Sequence, residues 1–210
     1  MSKPPILMIG AGGHARSCID VIEQEGRFEV AGLVGLRHEV GHRVLGYPVL
    51  ATDEALPDLL VTYPNVFISI GQIETAEPRL RVFDALQRMG CGMPVIVSPL
   101  AYVSKHATLG AGTIVMHGAV VNAGANVGRN CIINSQALVE HDAAIADHCH
   151  IATAAVINGG VHIGAGTFVG SNSTVRQCIK IGERCLIGMA QGLVADCETG
   201  TSIPAQRRPT

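Results

Sequence analysis

Residues 115–139 read VMHGAVVNAGANVGRNCIINSQALV. Within them Val115, Val121, Val127, Ile133 and Val139 fall at every sixth position. Followed outward, the spacing begins at Val97 and ends at Leu193, seventeen aliphatic residues without a miss. Two residues before most of them stands a small or thiol side chain, such as Ala119, Ala125, Cys131 or Ala137. A period of six fits neither the 3.6-residue repeat of a helix nor the two-residue repeat of a strand. It fits a parallel β-helix of hexapeptide repeats, in which each short strand turns one aliphatic inward and the chain then rounds a corner. One hexapeptide cannot bury its own aliphatic, so stacked coils, about 4.8 Å apart, supply the core together. The glycines directly after many of the aliphatics, among them Gly110, Gly128, Gly164 and Gly170, are expected to make the corners.

Three sides per coil would place residues eighteen apart above one another, so Cys131, Cys149 and Cys185 share a column. Stacked core side chains are the expectation there. Zinc needs ligands converging on one centre, not a column along an axis.

Before residue 94 the rhythm changes. ILMIG, FEVAGLV and NVFISIG read as strands. His14 to Gln24 reads as a helix, ATDEALPDLL as a short helix capped by Thr52 or Asp53, and TAEPRLRVFDALQRMG as a helix ending at Gly90. Alternating strands and helices predict a small parallel sheet of Rossmann-like α/β type. The expected division is residues 1–93 for this domain, 94–196 for the β-helix and 197–210 for a tail.

Hydrophobic residues make up 48% of the 210, yet aromatics only 3%, with no Trp. The core must be built from Val, Ile, Leu and Ala, which suits stacked strands. A net charge of −2 and the lack of a basic, aromatic-studded stripe argue against nucleic acid. No apolar run approaches the length that spans a bilayer. No signal peptide is read, and seven cysteines without CxxC spacing suggest reduced thiols in a cytoplasmic protein.

GAGGHA, Gly10 to Ala15, follows a strand and opens a helix. There, backbone N–H groups and a helix N-terminus can cradle a phosphate. A dinucleotide site would want an acid at the end of the second strand, but Val34-Gly35 stands there and the nearest acid is Glu39. A nucleotide diphosphate is therefore expected rather than NAD, with Gly71 and Gln72 flanking the same crevice. His141-Asp142 is the acid–base candidate, because an adjacent carboxylate fixes the tautomer and stabilises the imidazolium. His106, His117 and His162 read as ordinary surface histidines. His148 and His150 could chelate, but no pattern of carboxylates or thiols completes a site, and no metal is expected.

The β-helix after a GAGGHA turn, with VNAGANVG and INSQALVEHDAAIADHCHI, resembles the sialic-acid-cluster and bacillosamine type of nucleotide-sugar N-acetyltransferases over essentially the whole chain. That resemblance implies a left-handed β-helix, a homotrimer with sites between subunits, and acetyl-CoA as co-substrate. It implies a nucleotide-linked 4-amino-4,6-dideoxyhexose, first GDP-perosamine, bound by the N-terminal domain and acetylated at its C4 amine. His141 then matches the base and Asp142 its orienting acid. Gly12, Gly13 and His14 match the nucleotide-sugar loop, and Asn134 an asparagine near the sugar. His150, Gly159, Ser171 and Met189 fall at acetyl-CoA contacts, His150 at the thioester end. Two stretches depart from the pattern. Val34-Gly35-Leu36 replaces the acids of many relatives, and Ala152-Thr153-Ala154 replaces a common x-Pro-Gly. A trimeric nucleotide-sugar-binding regulator, and an O-acetyl or other acyl transferase on a UDP- or dTDP-sugar, remain as alternatives. Arg207 and Arg208 could reach a CoA phosphate or simply sit in solvent.

Overall fold

A computed structural model describes residues 3–72 and 74–205. Arg207 and Arg208 lie outside the described residues. Strand β1 (Pro5–Ile9) is an almost fully buried apolar run, as a central parallel strand requires. It pairs in parallel with β2 (Glu29–Val34) on one side and β5 (Asn65–Ile68) on the other. Helix α1 (Gly13–Glu25) buries Ala15, Cys18, Ile19 and Ile22 on one stripe and stops at Gly26. Gly26 takes the left-handed φ of 74° that ends many helices. The sequence reading lacks the next element. Strand β3 (Arg43–Val44) and β4 (Tyr47–Ala51) form an antiparallel hairpin across Leu45 and Gly46, both at positive φ. The hairpin extends the sheet to the order β3-β4-β2-β1-β5. Thr52 does not cap a helix; its hydroxyl donates to Glu54 at 3.1 Å. A 3₁₀ turn, Asp53–Ala55, leads instead into α2 (Leu56–Thr62). Helix α3 (Glu77–Arg88) ends just before Gly90, whose φ is 72°.

From Ile96 to Ile203 the chain is a left-handed parallel β-helix of two-residue strands. As far as Leu193 each strand pairs with the one eighteen residues away, as in Val121↔Val139 and Ile133↔Ile151. The second residue of each pair points inward. Val115 to Leu193, with Ala119, Ala125, Cys131, Ala137, Ala143 and Cys149 between, form one continuous core. The cysteine thiols stack as core side chains, each reaching a carbonyl of the next coil: Cys131 to Ala146, Cys149 to Gly164 and Cys185 to Glu198, at 3.1–3.2 Å. The prism runs on past residue 196, because Ser202–Ile203 pairs with Leu186–Ile187.

The corners are built differently from the expectation. From Leu109 to Ile187 the left-handed residue is the third after each inward aliphatic, for example Gly124 (φ 78°), Asn130 (52°), Asp142 (58°) and His148 (63°). The glycine directly after the aliphatic serves close approach instead. A Cβ on Gly110 would lie 2.5 Å from the backbone of Gly128, and one on Gly170 2.5 Å from that of Gly188.

The outward residues of the three faces differ in kind. The first face presents Ile96, Ile114 and Ile132, and these pack with Met116 against Ile19, Ile22 and Phe67 of the sheet domain. His150 and Phe168 continue that ladder. The second presents Tyr102, Val120, Leu138 and Val156; the third presents Thr108, Asn126, Ala144, His162 and Lys180. Among the described residues no helix is long and apolar enough to cross a membrane.

Candidate functional site

The loops after β1, β2 and β5 meet at the carboxyl edge of the sheet, where the strand order reverses direction around β1. Ligands of open α/β sheets bind at such a point. A cavity of about 650 Å³ opens there, lined by Gly10 to His14, Val34 to Leu36, Glu39, Asp53, Ser69 to Gln72, Pro78 and His150. The structure thus brings Gly12, Gly13, His14, Gly71, Gln72 and His150 together in one place. Gly10 must be glycine: its φ is 111°, and a Cβ would press within 2.7 Å of the Ile70 side chain. Ser69 fixes the turn by donating to the Gly10 carbonyl at 2.7 Å. Gly12 and Gly13 have open space where a Cβ would be, so a ligand can approach their backbone. The first turn of α1 carries no acid to compete with a phosphate for its free N–H groups.

His150 forms the β-helix wall of the cavity. Its Nδ1–H donates to the Gln72 carbonyl at 2.8 Å, which fixes the tautomer. The unprotonated Nε2 then accepts from the Asn134 amide at 3.1 Å. Burial, with Arg79 and His14 nearby, pushes its pKa down to about 3. His14 lies with its ring centroid 6.3 Å away and is held at about 4 by burial and by Arg79. Its buried Nε2 has no hydrogen-bond partner among the described residues. Both rings are neutral at ordinary pH.

Glu39 and Asp53 close the far side of the cavity. Glu39 folds back so that one carboxylate oxygen accepts from Leu36 N–H at 2.7 Å. Burial, and then Glu54, raise the Asp53 carboxyl above its ordinary value. Sequence reasoning placed neither in the site. The distance of Glu39 along the chain hid its return to the end of β2.

His141 and Asp142 stand elsewhere, on the corner between the second and third faces, opposite the face that carries His150. The Asp142 carboxylate accepts from His141 Nδ1–H at 2.9 Å, leaving the Nε2 lone pair free. That hydrogen bond, the largest influence, raises the His141 pKa above 6.5. The ring is exposed. Gly159 lies beside it in the next coil, and Asn158, Arg176, Gln177 and Cys178 line a shallow recess of about 460 Å³ on the same corner. Ser171 and Met189 share the corner of Asn134, between the first and second faces. Cys149 is sealed in the core, where burial lifts its thiol well above the usual range, so it offers no thiolate. His148 and His150 have separate partners: His148 bonds Asn130 at 2.9 Å and packs edge-on against Phe83.

Residues 5–86 match the PglD N-terminal domain family. The chain is 30% identical to a histidine-to-asparagine variant of perosamine N-acetyltransferase from Caulobacter crescentus, solved in complex with CoA and GDP-perosamine. That match covers 96% of this chain and 93% of the other, with a TM-score of 0.89. The acetyltransferase domain of PglB from Neisseria gonorrhoeae is 27% identical over 97% of each chain, with a TM-score of 0.88. WeeI from Acinetobacter baumannii, at 16% identity and a TM-score of 0.72, shares the fold over 96% of this chain and 97% of its own.

Proposed function

The chain belongs to the nucleotide-sugar N-acetyltransferases with a hexapeptide-repeat β-helix, and from that premise we propose a substrate, a base and an assembly. It is an acetyl-CoA-dependent sugar acetyltransferase. The acceptor is the C4 amine of a nucleotide-linked 4-amino-4,6-dideoxyhexose, with GDP-perosamine first, as bound by the Caulobacter crescentus protein. The observation that carries this reading is the single cavity in which the glycine-rich turn, Gly71, Gln72 and His150 converge. Nucleotide-sugar binding falls to residues 1–93 and the chemistry to residues 94–196.

The amine nitrogen attacks the thioester carbonyl carbon. His141 Nε2 takes a proton from nitrogen as the tetrahedral intermediate forms, and Asp142 steadies the imidazolium. The intermediate collapses, the C–S bond breaks, and the proton returns to sulfur as CoA leaves. His150 has given its only ring N–H to Gln72, so the oxyanion falls to a backbone N–H. No acyl-enzyme is required, because holding both substrates together supplies much of the acceleration. Crystals of two histidine variants of the Caulobacter crescentus protein with CoA and GDP-perosamine support attention to a histidine.

His141 lies outside the cavity of its own chain, and this supports a shared site. The second face supports it too. Its outward ladder of Tyr102, Val120, Leu138 and Val156 is apolar and touches both the His141 corner and the Asn134 corner. A homotrimer that buries this face would bring the base of one subunit to the cavity of its neighbour.

The test is a thermal-shift panel of GDP-, UDP- and dTDP-linked amino sugars with and without CoA, followed by thiol release from acetyl-CoA. A ligand of the native state raises the melting point. A GDP-linked 4-amino sugar should shift it most and support turnover. A shift without turnover for any amino sugar would leave a binding protein instead. Sedimentation of an active monomer would remove the shared site.

A further inference from the structure

Arg79 sits on the same stripe of α3 as Phe83 and Leu86 and is 1% exposed. All its hydrogen-bond partners among the described residues are neutral. Nη1 donates to the Gln72 side-chain oxygen at 3.0 Å. Nη2 donates to the Asn130 carbonyl, with the Asn130 side-chain oxygen at 3.3 Å. Nε is buried without a partner among the described residues. Burial brings the guanidinium down to about 10, so it stays cationic at neutral pH. A buried cation without a carboxylate is costly. A mere tether between α3 and the prism could be neutral.

What the cation holds is the cavity loop. The Gln72 side chain is fixed at both ends, its oxygen on Arg79 and its amide on the Gly166 carbonyl at 3.0 Å. The backbone carbonyl of the same residue takes the Nδ1–H of His150. On the other side Asn130, held by Arg79, donates to His148. One planar fork therefore joins the loop after β5 to the prism. A point-charge ammonium cannot reproduce this.

We propose that Arg79 is a positioning residue of the nucleotide-sugar cavity, acting through Gln72 to fix the carbonyl that sets the His150 tautomer. This rests on the assignment of that cavity to the nucleotide sugar. Among the described residues the charged and titratable groups acting on His150 are Arg79 from α3 and His14 from α1; Gln72 and Asn134 hydrogen-bond to it, and Phe168 packs edge-on against it. The cation also disfavours protonation of both histidines, so the cavity meets its ligand with neutral rings.

The test uses full-length Arg79→Gln and Arg79→Lys. In each, kcat/KM for the nucleotide sugar should fall at least about tenfold, chiefly through KM, while KM for acetyl-CoA stays within about twofold. In ¹⁵N-histidine spectra without ligand, the single Nδ1–H pattern of His150 should give way to a mixture. Equal losses toward both substrates, no loss, full recovery by Arg79→Lys, or an unchanged His150 pattern would each overturn the proposal. If Arg79→Gln loses its cooperative melt, the same readings on Arg79→Lys decide. A wild-type protein that acetylates no amino sugar would sink the functional reading alone, since the ring spectra need no substrate.

Discussion

The ring of His141 lies over Gly159 of the following coil, where a Cβ would stand 2.6 Å from Nε2 and 2.7 Å from Cε1. The ring is an exposed side-chain end, so Gly159→Ala would displace it rather than unfold the prism. Displacement separates the imidazole from Asp142 and turns Nε2 from its line of approach. A shift of about 1 Å in a catalytic group can cost up to about 10²-fold. Gly159→Ala should lower kcat about tenfold or more and leave the melting temperature within about 2 °C of wild type. Steady-state kinetics beside calorimetry would show it, and wild-type kcat would separate the glycine from the base.

His141→Asn removes the proposed base and should lower kcat/KM by about 10²–10⁴-fold with folding intact. The pH profile gives a finer test. A base works unprotonated, and the Asp142 hydrogen bond raises the His141 pKa. The acid limb of kcat/KM should therefore lie above the ordinary imidazole value. Asp142→Asn weakens that hold, so the limb should move to lower pH while the plateau also drops, because the tautomer is no longer fixed. A limb that stays in place in Asp142→Asn would detach His141 from it.

The repeat legible from Val97 to Leu193 carries the whole prism, because one inward aliphatic per hexad leaves a coil no other way to bury itself. The cavity loops were legible from GAGGHA and from the ends of the strands. Arg79 was not. Its spacing to Phe83 and Leu86 placed a cation on the buried stripe of α3, a usable signal, but an amphipathic reading treats arginine as solvent-facing. Glu39 and Asp53 escaped because each sits in a 3₁₀ turn, Arg37–Glu39 and Asp53–Ala55, and three-residue turns carry almost no pattern. The corner glycines were misread for a similar reason. Sequence shows where glycine stands, but not whether a φ angle or a neighbouring coil demands it.

His14 and His150, held near 4 and 3 in the folded chain, make stability depend on acid. Both values lie below the ordinary 6.5, so between these limits the unfolded chain binds more protons. Stability from this source is present above pH 6.5 and is lost as pH falls toward the folded values. Each histidine contributes a slope of about 1.4 kcal/mol per pH unit inside that window. His14→Gln should therefore melt with a shallower fall than wild type between pH 6 and about 4.5, as calorimetry across that range would show. Parallel curves would mean that His14 is not held neutral.

The two kinds of glycine should respond differently to one methyl group. Gly118 sits at φ 69°, and a Cβ there would meet the Gln136 side chain at an ordinary 3.4 Å. Ala154 and Ala190 already occupy equivalent corners at φ 56° and 57°. Gly118→Ala should therefore cost only the left-handed conformation, about 1–2 kcal/mol. Gly170 has an ordinary φ, but its Cβ would stand 2.5 Å from the Gly188 carbonyl carbon and 2.6 Å from Met189 N. Backbone cannot swing aside as a side chain does, so Gly170→Ala must spread two coils and loosen the Gly170–Ile187 bond, 2.8 Å long. Its loss should exceed that of Gly118→Ala, since overpacking a tight site costs about 1–3 kcal/mol and a backbone clash falls at the upper end of that range. Urea melts of the two variants would rank them, and the reverse order would refute the close-approach role of the glycines that follow the inward aliphatics.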